Sequence, residues 1–296
     1  MARKAICVGI NKFANFPQFT LQGCVNDAKD MATLCKGLLG FKASEVVTLV
    51  DAQASKAAIM AQLGAAVADA KAGKISYLLF SLSSHGTQMA DKSGDEPDGM
   101  DEAFVPADIA QKGNLWDPAH IICDDELHDL FQQVPPGVLL EVYLDTCHSG
   151  TGLRGAEFGL HAPRARYVAP PEGELQGVVK QKQVRGFTLH RMLRREAAAP
   201  AAAPKAGKDR AADLNPATNQ ILWGGCKANQ TSADAYFSGR YNGAFTYYFL
   251  QVVNATQNKL SRKDVVTKVR AAMAGKFAQT PQLEGNASNR QTAITN

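Results

Sequence analysis

Long apolar runs and closely paired cysteines are both absent from this sequence of 296 residues. No stretch of about 18 consecutive apolar residues occurs, so the sequence predicts no transmembrane helix. The cysteines are irregularly spaced and include no CxxC pair, which argues against a disulfide framework and against a zinc site. The sequence also contains no internal repeat, and we expect one domain spanning residues 1–296.

A signal-peptide pattern is missing as well. The basic pair Arg3 and Lys4 precedes an apolar run of only about six residues, and no cleavage site follows it. We interpret this run as a first β-strand and expect a cytosolic protein with no membrane partner.

Positive charge is concentrated in one part of the chain. Residues 164–210 hold eleven Lys or Arg and four Asp or Glu, whereas the whole chain has a net charge of only +4. This stretch includes EAAAPAAAP at residues 196–204, a low-complexity pattern typical of linkers. Nucleic-acid-binding proteins more often spread basic and aromatic side chains over a folded face. We therefore expect no nucleic-acid partner, and we interpret residues 160–216 as a flexible basic Ala/Pro-rich insertion.

Short apolar runs alternate with segments of helical periodicity along most of the chain. Predicted strands are Lys4–Ile10, Glu45–Val50, Ile75–Leu82, Val138–Leu144 and Gln220–Gly225. Predicted helices are Asn26–Leu39, Ser55–Ala72, Asp124–Gln133, Gly243–Val253 and Ser261–Ala274, and Ala90–Asp108 is predicted to be an acidic loop. Strands that are apolar on both faces predict an α/β fold with a mainly parallel central sheet flanked by helices.

Reactive residues follow two of these strands, at the end where ligands bind in parallel sheets. The third strand leads to His85 and Gly86, and the fourth leads to Cys147. A thiolate with a nearby base is a nucleophile, so we interpret Cys147 as the nucleophile and His85 as its base. The N–H groups of Gly86 and Cys147 are candidates for an oxyanion hole. The alternative is a buried structural thiol beside a structural loop histidine. His148 is a rival base, but neighbours in an extended chain point in opposite directions.

The motifs around these residues resemble those of the caspase-haemoglobinase clan and, over longer segments, those of metacaspases, especially the bacterial orthocaspases. The matching segments are LxGCVNDA at Leu21–Ala28, SxHG at Ser83–Gly86, HGTQ at His85–Gln88, DEPDGMDEAFVPAD at Asp95–Asp108, DDEL at Asp124–Leu127, DxCHSG at Asp145–Gly150 and CKANQTSADA at Cys226–Ala235. One departure is Ser84, where the family usually has Gly. The resemblance implies a three-layer caspase-haemoglobinase-like sandwich and a cysteine endopeptidase with a Cys147–His85 dyad.

The resemblance also implies a substrate pocket that accepts Arg or Lys at the cleaved position of a protein or peptide. The residues that match this S1 pocket are Cys24, Asp27, Ser83 and Asp145, while Ser232 and Asp234 border the groove. Paired carboxylates at the base of a narrow pocket suit a guanidinium or an ammonium group. Two alternatives stay open: a catalytically silent signalling or binding module, and a peptidase directed at Asn or Asp.

A calcium ion is the only cofactor that the resemblance raises, as an activator rather than a participant in the chemistry. The matching ligands are Asp101, Asp124 and Asp125, and oxygen ligands of this kind suit calcium. Arg154 stands where the family places a fourth acid, and a cation there would oppose the ion. The sequence therefore leaves open a calcium site or its replacement by salt bridges to Arg154.

The basic stretch follows the nucleophile, where this clan often has a cleavable linker. If the pocket accepts Arg or Lys, the stretch offers the enzyme a substrate within its own chain. We expect autoproteolysis at one of the residues Lys182, Arg185, Arg191, Arg194 and Arg195. The alternative is a solvated loop that is never cut. The resemblance to metacaspases favours a monomer.

Overall fold

A computed structural model of the chain describes residues 2–91, 99–147, 162–176, 219–227 and 230–295. The strands are β1 (Ala2–Gly9), β2 (Val46–Val50), β3 (Ile75–Ser83), β4 (Gly86–Ala90), β5 (Met100–Phe104), β6 (Gln111–Lys112), β7 (Leu115–Trp116), β8 (Ile122–Cys123), β9 (Leu139–Asp145), β10 (Arg164–Ala165), β11 (Gln220–Gly224), β12 (Ala233–Phe237), β13 (Arg240–Gly243) and β14 (Gln282–Gly285). The helices are α1 (Cys24–Lys36), α2 (Lys56–Lys71), α3 (Asp124–Phe131), α4 (Ala244–Thr256), α5 (Arg262–Met273) and α6 (Ala287–Arg290). Short 3₁₀ turns occur at Pro17–Phe19, Ala43–Glu45, Asp51–Gln53 and Pro118–His120.

The central sheet has the strand order β14-β11-β9-β3-β1-β2. The five predicted strands all lie in it and pair in parallel, which confirms the prediction of a mainly parallel sheet. At one edge β14 pairs antiparallel with β11. The sequence analysis missed β14 because its four residues contain a single large apolar side chain and therefore no alternation.

Helices cover both faces of this sheet and give the chain three layers. Buried apolar residues of β1, β3 and β9 pack with α2 and α3 in one cluster. On the other face, buried residues of the same sheet pack with α1, α4 and α5. The fold is therefore the predicted helix–sheet–helix sandwich. Among the described residues, no helix combines the length and apolar character needed to cross a bilayer.

A buried ion pair connects β9 to helix α5. Glu141 accepts hydrogen bonds from Nε and Nη2 of Arg262 at 2.8 and 2.9 Å. The hydroxyls of Tyr77 and Tyr143 and the indole N–H of Trp223 donate to the same carboxylate. Burial alone would raise the pKa of Glu141, but Arg262 and the neutral donors together lower it below its ordinary value. The core therefore contains an ionised carboxylate that depends on Arg262.

Two stretches predicted to lack regular structure contain short strands. Within the predicted acidic loop Ala90–Asp108, strand β5 pairs antiparallel with β4 and with β8. The loop prediction was wrong there because it was based on the many acidic residues of the segment. It overlooked a short apolar run, Ala103–Val105, that is buried. At the start of the predicted insertion, residues 162–176 belong to the fold, since β10 pairs with β12 and Arg166 is fully buried. The insertion boundary predicted near residue 160 therefore differs from the structure.

Candidate active site

The predicted nucleophile and base lie at the same edge of the central sheet. Strands β3 and β9 pair in a register that sets Ser83 opposite Asp145. His85 follows Ser83 by two residues and Cys147 follows Asp145 by two residues, and both side chains are buried. The two strands thus bring the predicted dyad to the carboxyl end of the parallel sheet.

The imidazole of His85 has one hydrogen-bonded nitrogen and one free nitrogen. Nε2 lies 2.7 Å from the carbonyl oxygen of Phe19. A carbonyl only accepts, so Nε2 carries the hydrogen and the buried Nδ1, which has no partner, carries the lone pair. Burial, and to a lesser extent the positive charge of Arg166, lower the pKa of His85 to about 4. His85 is therefore a neutral imidazole at physiological pH.

The thiol of Cys147 is not hydrogen-bonded to this free nitrogen. Its Sγ donates to the carbonyl oxygen of Gln230 at 2.9 Å. A second thiol, Cys226, donates to the same oxygen at 3.4 Å and to the carbonyl of Thr146 at 3.6 Å. The pKa of Cys226 is raised, first by its contact with Cys147 and then by burial, so this second thiol stays protonated.

The segment Arg164–Val168 crosses the same sheet edge in an extended conformation. Its first two residues form β10, which pairs antiparallel with β12. The N–H of Arg166 donates to the carbonyl of Ser232 at 3.0 Å. The N–H of Gly86 donates to the carbonyl of Arg166, and the N–H of Val168 donates to the carbonyl of Gly86, each at 2.9 Å. The backbone of this segment is therefore hydrogen-bonded to Ser232 on one side and to Gly86, the predicted oxyanion donor, on the other.

The side chain of Arg166 is enclosed by three carboxylates. Nη2 lies 2.7 Å from Asp27 and 3.0 Å from Asp234, and Nη1 lies 3.3 Å from Asp145. Nη1 also donates to the carbonyl of Asp145 at 3.0 Å, whereas Nε has no partner. All four side chains are at most 2% exposed. A site this closed, with three carboxylates facing one guanidinium, suits a positively charged group.

The acid Asp27 is held by the start of helix α4. Both of its oxygens accept from the N–H of Gly243 at 3.0 Å, and Nδ2 of Asn242 donates to it at 2.8 Å. Gly243 has to lack a side chain, because a Cβ would overlap Asp145 and the guanidinium of Arg166. The glycine therefore sets the width of the pocket.

The other two acids are also fixed by donors. Asp145 accepts from the hydroxyl of Ser232 and from both the N–H and the hydroxyl of Thr246, at 3.0 and 2.7 Å. Asp234 accepts from the N–H groups of residues 22 and 23, at 2.8 and 2.9 Å. These N–H groups immediately precede helix α1, where unpaired donors favour an anion. Each carboxylate is thus oriented before any ligand binds.

Ionisation of the pocket depends on its cation. Burial raises the pKa of Asp27 to about 7, and the charge of Arg166 opposes this rise. The negative charge of Asp145 raises the pKa of Asp27 further. Without a cation, burial and neighbouring negative charge both favour the protonated acid.

Comparison with known proteins identifies the family. The family model described as the metacaspase, peptidase C14 domain, matches residues 3–155, just over half of the chain. The chain belongs to the metacaspase family. Curated relatives include metacaspase-1 of Ajellomyces capsulatus, which is 31% identical over 306 residues that cover 95% of this chain and 79% of the relative. Metacaspase-1A of Aspergillus clavatus is 34% identical over 302 residues, which cover 95% of this chain and 65% of the relative.

Two solved structures are similar to this chain in fold. Protein GSU0716 from Geobacter sulfurreducens has a TM-score of 0.65 and 25% sequence identity, with 100% of this chain and 98% of that chain covered. Caspase-1 from Spodoptera frugiperda has a TM-score of 0.54 at 11% identity, covering 95% of this chain and 85% of that chain, and shows the likeness of fold alone. As a metacaspase, the chain is a cysteine-type endopeptidase.

Two further residues of the metacaspase S1 prediction line the same region. Cys24 is the first residue of α1, and burial raises the pKa of its thiol well above the ordinary value. Ser83 is the last residue of β3 and lies opposite Asp145. Both side chains are buried. The serine is neutral and the Cys24 thiol stays protonated, so neither adds charge to the pocket.

Two of the three acids predicted to bind calcium, Asp101 and Asp125, lie close together at the start of helix α3, with a cysteine as the third member of the cluster. One ligand atom from each of Asp101, Cys123 and Asp125 lies within 4.8 Å of the others. The Cys123 thiol lies 3.6 Å from an oxygen of Asp101 and 3.4 Å from one of Asp124. Burial, and then the charge of Asp124, raise the pKa of Cys123, so this thiol remains a protonated donor. Carboxylate oxygens are the ligands that calcium prefers, so Asp101, Asp124 and Asp125 could serve as ligands, whereas the protonated Cys123 thiol could not.

Several predicted residues lie outside the described residues: His148, Arg154, Lys182, Arg185, Arg191, Arg194 and Arg195. The sequence analysis missed Arg166, although it belongs to the basic stretch. A local signal was available, because Tyr167 and Val168 follow it and both residue types favour extended backbone. Asp234 was assigned to the groove border, whereas its carboxylate lies in the pocket itself. The cytosolic location, the monomeric state and the absence of a nucleic-acid partner stay predictions.

Proposed function

We propose that this metacaspase cleaves peptide bonds after Arg, and less efficiently after Lys. The observation that carries the proposal is the enclosure of the Arg166 guanidinium by Asp27, Asp145 and Asp234, at 2.7 to 3.3 Å. A guanidinium presents donors on separate nitrogens, and Nη1 and Nη2 here reach different carboxylates. An ammonium has its donors on one atom and satisfies fewer of these acceptors at once.

In the proposed mechanism the thiol of Cys147 gives its proton to Nδ1 of His85 and its sulfur attacks the substrate carbonyl carbon. The N–H groups of Gly86 and Cys147 hold the developing oxyanion. His85 then protonates the leaving amine, and water hydrolyses the acyl-enzyme. Two observations support these roles: Nδ1 is the free nitrogen of a neutral imidazole, and the N–H of Gly86 already donates to the carbonyl of an arginine. Before attack, Cys147 has to turn from the carbonyl of Gln230.

The test is hydrolysis of fluorogenic peptides that end in Arg, Lys, Asp or Asn, by the wild type and by Cys147→Ala. We expect turnover of Arg peptides above Lys peptides, and none for Cys147→Ala. Turnover of Asp or Asn peptides instead would replace the proposed specificity. A folded protein that cleaves none of the four, including after removal of the Arg166 side chain, would favour the catalytically silent module.

We also propose that a calcium ion binds at Asp101, Asp124 and Asp125 and activates the enzyme. The site is supported by Asp101 and Asp125, which belong to one cluster with atoms within 4.8 Å of one another, and by Asp124, which contacts the Cys123 thiol of that cluster at 3.4 Å. The peptide assay should be run with calcium and with a chelator, together with thermal unfolding. Calcium is expected to raise the melting temperature of the wild type but not that of Asp101→Asn, whereas equal melting curves with calcium and chelator would exclude the site.

A further inference from the structure

The segment around Arg166 makes the contacts that an extended peptide substrate would make. Its N–H, its carbonyl and its guanidinium are all bonded to residues that the proposed function uses for substrates. The carbonyl of Arg166 accepts from Gly86, the residue next to His85. On the other side, its Nη1 contacts Asp145, two residues before Cys147. The carbonyl of the Arg166–Tyr167 peptide bond is therefore bonded next to His85, while the side chain of the same residue reaches the end of the strand that leads to Cys147.

We propose that the Arg166–Tyr167 peptide bond is the enzyme's own processing site, and that the uncut segment blocks the S1 pocket. This inference rests on the proposed function, because it requires cleavage after Arg. This processing site lies N-terminal to the candidates between Lys182 and Arg195 that the sequence analysis predicted. Arg166 occupies the pocket before any substrate in trans can enter.

The chemistry is one hydrolysis. The sulfur of Cys147 bonds to the carbonyl carbon of Arg166, and the bond from that carbon to the nitrogen of Tyr167 breaks. The nitrogen leaves as an amine with a proton from His85. Water then cleaves the thioester, which gives a carboxylate on Arg166 and restores the thiol. The products are residues 1–166 and 167–296, and together they are one water heavier than the intact chain.

A purely structural arginine would not need these backbone contacts. The buried pairs with Asp27, Asp145 and Asp234 would stabilise any arginine in this position. They do not explain why the carbonyl of the same residue accepts from Gly86. They also do not explain the backbone pairing of β10 with β12 on the opposite side of the groove. Extended pairing with a sheet edge is a general way of binding peptides. The two sets of contacts together define a bound peptide with a cleavable bond.

Cleavage should also open the pocket. In the uncut chain Arg166 is tethered on both sides, so its effective concentration at the pocket far exceeds that of a dissolved substrate. Hydrolysis separates Arg166 from Tyr167, so the segment that ends at Arg166 is no longer tethered on its C-terminal side. Loss of this tether lowers the effective concentration of Arg166 at the pocket. Processing is therefore expected to precede activity on other substrates.

The decisive variant is Tyr167→Pro. The bonds to Gly86 use the carbonyl of Arg166 and the N–H of Val168, so a proline at position 167 preserves both. The extended backbone that proline imposes on the preceding residue also matches this segment. A peptide bond to proline resists most endopeptidases. We expect Tyr167→Pro to remain intact and to lose turnover of Arg peptides, because Arg166 stays in the pocket.

The experiment measures intact mass and the sequence of new N-termini for the wild type, Cys147→Ala, Tyr167→Pro, Arg166→Ala and the matched control Arg185→Gln. We expect a new N-terminus at Tyr167 in the wild type and in Arg185→Gln only. The rate should not change on dilution, since the reaction is intramolecular. Arg166→Ala should lose this cut yet cleave Arg peptides, with its circular dichroism spectrum reporting that it is folded.

The outcomes separate the two proposals. Turnover of Arg peptides by a wild type whose Arg166–Tyr167 bond stays intact would overturn the processing site and leave the proposed function standing. Full turnover by intact Tyr167→Pro would overturn the block. If folded Arg166→Ala and the wild type both fail on Arg peptides, the proposed specificity itself is wrong.

Discussion

Acidification should destabilise the fold through the buried imidazole of His85. Burial lowers its pKa to about 4 from an ordinary value of 6.5. Between these two values the unfolded chain binds a proton that the folded chain does not. The free energy of unfolding therefore falls as the pH drops through this window, and the contribution is fully present above pH 6.5. A shift of this size corresponds to about 3 kcal/mol at most.

The assay is urea unfolding of Cys147→Ala, which cannot cut itself, and of the same protein with His85→Gln, at several pH values from 7.5 to 4. Asp27 titrates in the same pH range, but because its pKa is raised, its protonation increases the free energy of unfolding as the pH falls. The quantity to compare is therefore the difference in the free energy of unfolding between the two proteins. We expect the stability of the parent relative to the variant to drop by up to about 3 kcal/mol over the range. His128→Gln, on the exposed side of α3, is the matched control and should keep the slope of the parent. Parallel curves for the parent and His85→Gln would refute the reasoning.

Three more outcomes follow from the buried charges and from the width of the pocket. Arg262→Met should lower the free energy of unfolding by about 3 to 5 kcal/mol, because Glu141 is left as an uncompensated buried charge; a loss below about 1 kcal/mol in urea unfolding would contradict this. Gly243→Ala should reduce kcat/KM for Arg peptides by about tenfold or more, since its Cβ overlaps Asp145 and the position of the guanidinium, and unchanged kinetics would argue against this pocket. The kcat/KM for Arg peptides should fall as the pH drops below about 7, where Asp27 becomes protonated, and Asp27→Asn should be slow and lack this dependence.

Local patterns in the sequence were sufficient to predict the central sheet and the edge at which His85 and Cys147 lie. The five strands of the parallel sheet were predictable because each contains a short apolar run; four of them are largely buried, and the edge strand β2 is half-buried. Once those strands were placed, His85 and Cys147 had to lie at one edge, since parallel strands end on the same side. The short strands β5 and β14 were not predictable, because their pairing partners are distant and their own residues show no alternation.

The composition of the pocket depends on contacts between distant parts of the chain. Asp27 and Arg166 are 139 residues apart, and Arg166 and Asp234 are a further 68 residues apart. Motif resemblance pointed to Asp27 and Asp145, whereas the extended backbone that Tyr167 and Val168 favour does not by itself assign the side chain of Arg166 to these acids.

The sequence by itself determined the α/β sandwich, the edge of the sheet at which Cys147 and His85 lie, and the metacaspase family, because these follow from local hydrophobicity, strand ends and motif order. Only the tertiary structure decided that the side chain of Arg166 lies among Asp27, Asp145 and Asp234, and which nitrogen of His85 is free. Each of these depends on groups that meet only when the sheet, the β12–β13 hairpin and the segment 162–176 pack together. Local sequence patterns do not predict contacts between segments so far apart in the chain.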